Sequence, residues 1–98
     1  MKISMIPLAR REMLRAARWY ESKAPDLSDR FLDEIRRAMR AVLEFPAAPP
    51  IIIAPYRRQL LKDFPYALVY RVENDEIVVL AVANLKRRPG YWIRRANI

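Results

Sequence analysis

Seven consecutive residues, Ile77-Val78-Val79-Leu80-Ala81-Val82-Ala83, are apolar at every position. A strand with one wet face would alternate, and a membrane span needs about 18–20 apolar residues. A run of this length, rich in β-branched side chains, reads as a strand buried on both faces or at the centre of a sheet. The whole chain has 98 residues, too few for two independent cores. The sheet therefore belongs to a single domain, residues 1–98.

The neighbours of the run complete the sheet. Arg57 to Phe64, Tyr66 to Glu73 and Glu76 to Leu85 are three strand candidates. Asn74-Asp75 is a tight-turn signal, so the last two form a hairpin. Lys2 to Ile6, closed by Pro7, reads as a first strand. Between them the period changes. Met13, Ala16/Ala17 and Tyr20 fall on one face of a helix over Leu8 to Ser22. Phe31, Ile35, Ala38/Met39 and Val42 do the same over Leu27 to Glu44. Lys23-Ala24-Pro25-Asp26 is the turn between the helices, with Asp26 placed to cap the second. Pro46 and Pro49-Pro50 stop that helix. The fold class is α+β: an N-terminal strand, an antiparallel two-helix hairpin, then a three-strand antiparallel meander with the helices on one face.

Two absences narrow the chemistry. There is no cysteine, which removes disulfides, zinc–thiolate sites and thiol nucleophiles. There is no histidine, which removes imidazole acid/base chemistry and His-ligated metals. No metal or cofactor is expected. Met1 to Pro7 lacks the pattern of a signal peptide, and no segment is apolar enough to span a membrane, so a cytoplasmic location is expected.

Charge points outward to a partner. The chain carries 19 Lys+Arg against 11 Asp+Glu, net +8. Fifteen of the 19 cations are Arg, whose planar fork grips carboxylate or phosphate and stacks on rings. Residues 57–98 hold 9 basic and 4 acidic groups. The tail, Lys86 to Ile98, contains Lys86, Arg87, Arg88, Arg94 and Arg95 with Tyr91 and Trp92 and no acid. A basic, aromatic surface of this kind suits single-stranded RNA or a protein hot spot.

The order of these segments carries a resemblance. Phe64-Pro65-Tyr66-Ala67-Leu68-Val69-Tyr70-Arg71-Val72 precedes the apolar run, and Arg87-Arg88-Pro89-Gly90-Tyr91-Trp92 with Arg94 follows it. Ala17-Arg18-Trp19-Tyr20-Glu21 and Phe31-Leu32-Asp33-Glu34-Ile35 lie in the two helices. Together they resemble the RelE/ParE superfamily of type II toxin–antitoxin toxins, often labelled plasmid stabilization proteins. The resemblance implies a growth-arresting toxin held in a hetero-oligomer by a cognate antitoxin, whose acidic C-terminal segment would complement the +8 charge.

Within that superfamily the targets divide. RelE-like members cleave mRNA in the ribosome, and ParE-like members poison DNA gyrase. The cleaving branch carries an Arg in the middle strand where this chain has Ala67, and many members carry a His where it has Asn84. Both differences favour the gyrase-directed branch, in which Arg87, Arg88, Tyr91, Trp92, Arg94 and Arg95 form or support the contact surface. The alternative is a ribosome-dependent endoribonuclease. There Arg57, Arg87 and Arg88 stabilise charge on the phosphate, and Lys62 or Tyr91 moves protons. A non-toxic nucleic-acid-binding module is the third reading.

Overall fold

Two prolines start the two helices. Pro7 opens α1 (Pro7–Lys23) and Pro25 opens α2 (Pro25–Glu44). Proline suits the first helical position because its φ is preset and no N–H is left without a partner there. Only Ala24, in extended conformation, separates the helices, ending one and preceding the other. The expected cap by Asp26 is not formed: Ala24 holds the N-cap position and Asp26 lies in the first turn, where its charge meets the positive end of the helix. The inward stripes are Ala9, Ala16, Ala17 and Tyr20 on α1, and Phe31, Ile35, Ala38 and Val42 on α2.

The computed structural model describes residues 1–97, so Ile98, at the end of the tail, lies outside the described residues. Its strands are β1 (Lys2–Met5), β2 (Ile51–Ile53), β3 (Tyr56–Leu60), β4 (Tyr66–Glu73) and β5 (Glu76–Asn84). A 3₁₀ helix, Tyr91–Asn97, follows. The sheet order is β1-β5-β4-β3-β2. β1 runs parallel to β5 and every other pairing is antiparallel, so the α+β sheet is mixed. Two strand expectations need correction. β2 was hidden behind the proline signals that precede it. The strand expected over Arg57 to Phe64 ends at Leu60, because Leu61 and Phe64 turn into the core beneath the helices. Asn74 and Asp75 both take positive φ, as the hairpin turn requires.

The apolar run lies on β5, between β1 and β4, with both faces covered. On one face Ile77, Val79 and Val82 join Leu68 and Tyr70 under the helices. On the other, Leu80, Ala81 and Ala83 join Val69 and Trp92. The change from odd to even residues on the helix side has a local cause. Val69 pairs with Ala81 and Tyr70 with Val79, so Leu80 is an extra residue on β5. Such a bulge turns the following side chains over and leaves its backbone groups outside the ladder.

The second face is closed by the tail. Trp92 is 3% exposed, with its ring 5.3 Å from that of Tyr56 in an edge-on contact. Burying a Trp removes about 150–250 Å² from water, worth on the order of 4–6 kcal/mol before entropy is counted. That burial is the main force docking the tail. Leu80 is fully buried, so Leu80→Ala is expected to cost about 2–5 kcal/mol in a urea melt. A loss below about 1 kcal/mol would contradict the packing described.

Candidate functional site

Glu12 sits on the inward stripe of α1, one turn after Ala9 and one turn before Ala16, both buried. A carboxylate there needs partners, and the sheet provides them. β1 pairs with β5 only as far as Val79, where Ile6 N–H donates to the Val79 carbonyl. Beyond that point the edge of β5 is open. Glu12 Oε1 accepts the Val82 N–H at 3.1 Å. Arg95 Nη1 donates to the Leu80 carbonyl at 3.0 Å, satisfying the group that the bulge leaves out.

The same two side chains bind each other. Arg95 Nη1 lies 2.7 Å from Glu12 Oε1, and Nη2 lies 3.1 Å from Oε2. Their side chains are 15% exposed for Glu12 and 14% for Arg95. The Tyr91 hydroxyl donates to Glu12 Oε2. The Arg87 guanidinium stacks 3.8 Å over the Tyr91 ring and comes within 3.6 Å of Glu12 Oε2. One carboxylate thus ties α1, the bulge and the tail together. A buried ion pair adds little net stability over an apolar pair of the same shape. Its contribution is position, while Trp92 supplies the driving force.

Electrostatics follow from this arrangement. Burial first, then the bond to Glu12 and its charge, pushes the Tyr91 phenol far above its ordinary value. It keeps its proton and cannot act as a base near neutral pH. The bond to Glu12 raises the pKa of the Arg95 guanidinium further.

The anticipated contact residues divide into two groups. Arg87, Arg88 and Arg94 are exposed and Tyr91 is half-buried. Trp92 and Arg95 are turned inward, with Trp92 3% exposed and the Arg95 side chain 14% exposed. The five residues considered for nuclease chemistry are not brought together. Arg87 and Tyr91 line a cleft of about 510 Å³ between α1 and the open edge of β5. Arg87, Arg88 and Tyr91 also line a cavity of about 200 Å³ over the outer sheet face. Arg57 and Lys62 line neither. Arg57 Nη1 is spent on the Ala47 and Pro49 carbonyls, at 3.0 and 2.7 Å. Lys62 lies beside Glu34 and Arg37 in a separate hollow next to α2. Ala67 is fully buried.

Two residues were missed by the sequence reading. Glu12 left a signal, since it is an acid on the helical stripe shared by Ala9 and Ala16. Arg58 left none, because it reads as half of an edge pair. It lines the outer cavity, and its buried Nε has no hydrogen-bond partner among the described residues. Gly90, at φ +78°, makes the turn into the 3₁₀ helix, and an added Cβ there would meet Ile93 Cδ1 at 2.9 Å.

Two outcomes follow. Glu12→Gln removes the counter-charge of a mostly buried Arg and is expected to cost about 3 kcal/mol in chemical denaturation; an unchanged midpoint would refute the role given to the carboxylate. The second concerns pH. The folded chain holds the Tyr91 proton more tightly than the unfolded chain, whose phenol titrates near 10. Its contribution is therefore complete below about pH 10 and is lost as pH rises beyond it. Tyr20, Tyr66 and Tyr70 are shifted upward too, mainly by burial, so they share the decline. Tyr91→Phe should make the alkaline loss of stability shallower in melts taken between about pH 9 and 11; an unchanged slope would count against it.

Comparison with known proteins bears on identity. The family profile described as ParE toxin of type II toxin-antitoxin system, parDE, matches residues 3–89. A search among curated proteins found no match. Among solved structures, one chain of the chromosomal ParDE TA system from P. aeruginosa superposes with a TM-score of 0.77 at 17% identity. The match covers 88% of this chain and 97% of that one, and it shows a common fold. With nearly the whole sequence matched by the family profile, the chain belongs to the ParE toxin family of type II toxin–antitoxin systems.

Proposed function

We propose that this ParE-family chain arrests growth by binding and poisoning DNA gyrase in the cytoplasm, and that a cognate antitoxin neutralises it in a hetero-oligomer. The contact face is Arg87, Arg88, Tyr91 and Arg94, with Trp92 and Arg95 holding it from below. The observation that carries this reading is the fixed tail: three exposed arginines on a segment anchored by a buried indole and a mostly buried ion pair. A binding toxin needs such a rigid, cationic surface, since side chains already ordered lose less entropy on association.

The nuclease reading lacks a comparable support. Cleavage through the 2′-oxygen needs a group that exchanges a proton near neutral pH. Tyr91 is held protonated, Lys62 is apart from the arginines of the tail, and Arg57 is engaged by backbone carbonyls.

A supercoiling assay tests the proposal. The native chain is expected to block gyrase and to trap cleaved DNA, and Arg88→Ala is expected to relieve both along with growth arrest. Folding should change by no more than about 0.5 kcal/mol, because Arg88 is exposed and unpaired among the described residues. Unaltered gyrase activity at doses that arrest growth, with new mRNA 5′ ends on ribosomes, would overturn it.

A further inference from the structure

The cavity over the outer sheet face contains a cation without a partner. β3 places Arg58 beside Val69 of β4, on the side of the sheet away from the helices. The Arg58 backbone N–H is satisfied by the Pro50 carbonyl at 3.1 Å. The side chain is not. Its Nε is buried with no hydrogen-bond partner, and no carboxylate pairs with the guanidinium among the described residues. Arg57, the preceding residue, spends its own guanidinium on two carbonyls. A buried donor left unbonded is unfavourable, and a charged one more so. Such a group calls for a partner from outside the chain.

The surroundings limit what that partner is. Ile52, Ile53, Val69, Ala83 and Trp92 line the cavity. Its cations are Arg58, Arg87 and Arg88, and no acid lines it. Arg87 is engaged by the Tyr91 ring and by Glu12, so Arg58 and the exposed Arg88 remain. At about 200 Å³ the space is smaller than the roughly 300–1,000 Å³ of sites for drug-sized molecules. It suits one short chain.

We infer that this cavity binds a carboxylate carried on a short apolar stem, with the charge at Arg58 and Arg88 and the stem against Ile52, Val69 and Trp92. Three observations select this chemistry. Cations without an acid call for an anion. The planar guanidinium fork matches two coplanar oxygens. Hydrocarbon walls call for hydrocarbon next to the charge. A nucleotide fits less well. Trp92 is 3% exposed and Arg87 already stacks on Tyr91, so neither ring is open to a base. The carboxylate has two possible sources, a free small acid or an acidic side chain of gyrase, and only the second rests on the proposed function.

The test titrates the ¹⁵N-labelled chain with hexanoate and follows the Arg58 Nε–Hε and Trp92 indole resonances. Both should shift saturably, with hexanoate binding at least about 10-fold more tightly than hexanol or inorganic phosphate. Arg58→Met should abolish the Trp92 response while its denaturation midpoint stays equal or rises, because an unpaired buried charge is removed. The titration of the native chain stands even if the variant does not fold. No saturable shift with hexanoate, tighter binding of inorganic phosphate, or a larger shift with a single-stranded RNA oligomer would overturn the inference. So would a lower midpoint in Arg58→Met with hexanoate binding unchanged. A supercoiling assay separates the sources. If gyrase supplies the carboxylate, hexanoate and Arg58→Met each weaken inhibition by about 10-fold or more; if the ligand is a free acid, neither does. A native chain that leaves gyrase untouched would sink the proposed function, while the titration would still decide the site.

Discussion

The Glu12 carboxylate is the point at which the three parts of this molecule meet. It comes from a helix, receives a backbone N–H from the strand beyond its last neighbour, and holds Arg95 and Tyr91 from the tail. Each partner answers a need created elsewhere. β1 is too short to cover β5, so Val82 needs an acceptor. The bulge at Leu80 turns out a carbonyl, so a donor is needed there. A carboxylate removed from water needs a cation. The bidentate Glu12–Arg95 pair meets all three needs at one place.

The ion pair and the indole divide the work of holding the tail. Trp92 supplies most of the free energy, because apolar burial outweighs what a desolvated pair yields. The pair fixes register and direction, because a guanidinium fork bonds a carboxylate in few orientations. Together they leave Arg87, Arg88 and Arg94 outward on a segment that does not have to be ordered when a target arrives. The cationic tail is thus half anchor and half display, and the proposed binding of gyrase falls to the displayed half.

Much of this was legible in the residues. The run at 77–83 marked a strand covered on both sides, and the helical stripes fixed which faces of α1 and α2 turn inward. Prolines and the Asn74-Asp75 turn placed most boundaries. The rest depended on contacts distant in sequence. Nothing local reveals that an all-apolar strand shifts parity at Leu80, since either face accepts the same side chains. Ile51–Ile53 became a strand only because β3 lies beside it. Tyr91, Trp92, Arg94 and Arg95 read as one cluster because they are close in sequence. A tight 3₁₀ turn separates them, sending Trp92 and Arg95 inward and Arg94 outward. Arg57 looked available because its carbonyl partners, at Ala47 and Pro49, belong to an irregular connection with no pattern to read.

Amide hydrogen exchange across the tail in Glu12→Gln tests the central claim most directly. If the carboxylate is what sets the tail in place, amides from Ile93 to Asn97 should exchange far faster in the variant, while those of α2 and β4 stay slow under native conditions. Equal exchange in the tail of both proteins would mean that the indole alone holds it, and that the ion pair is incidental to the displayed surface.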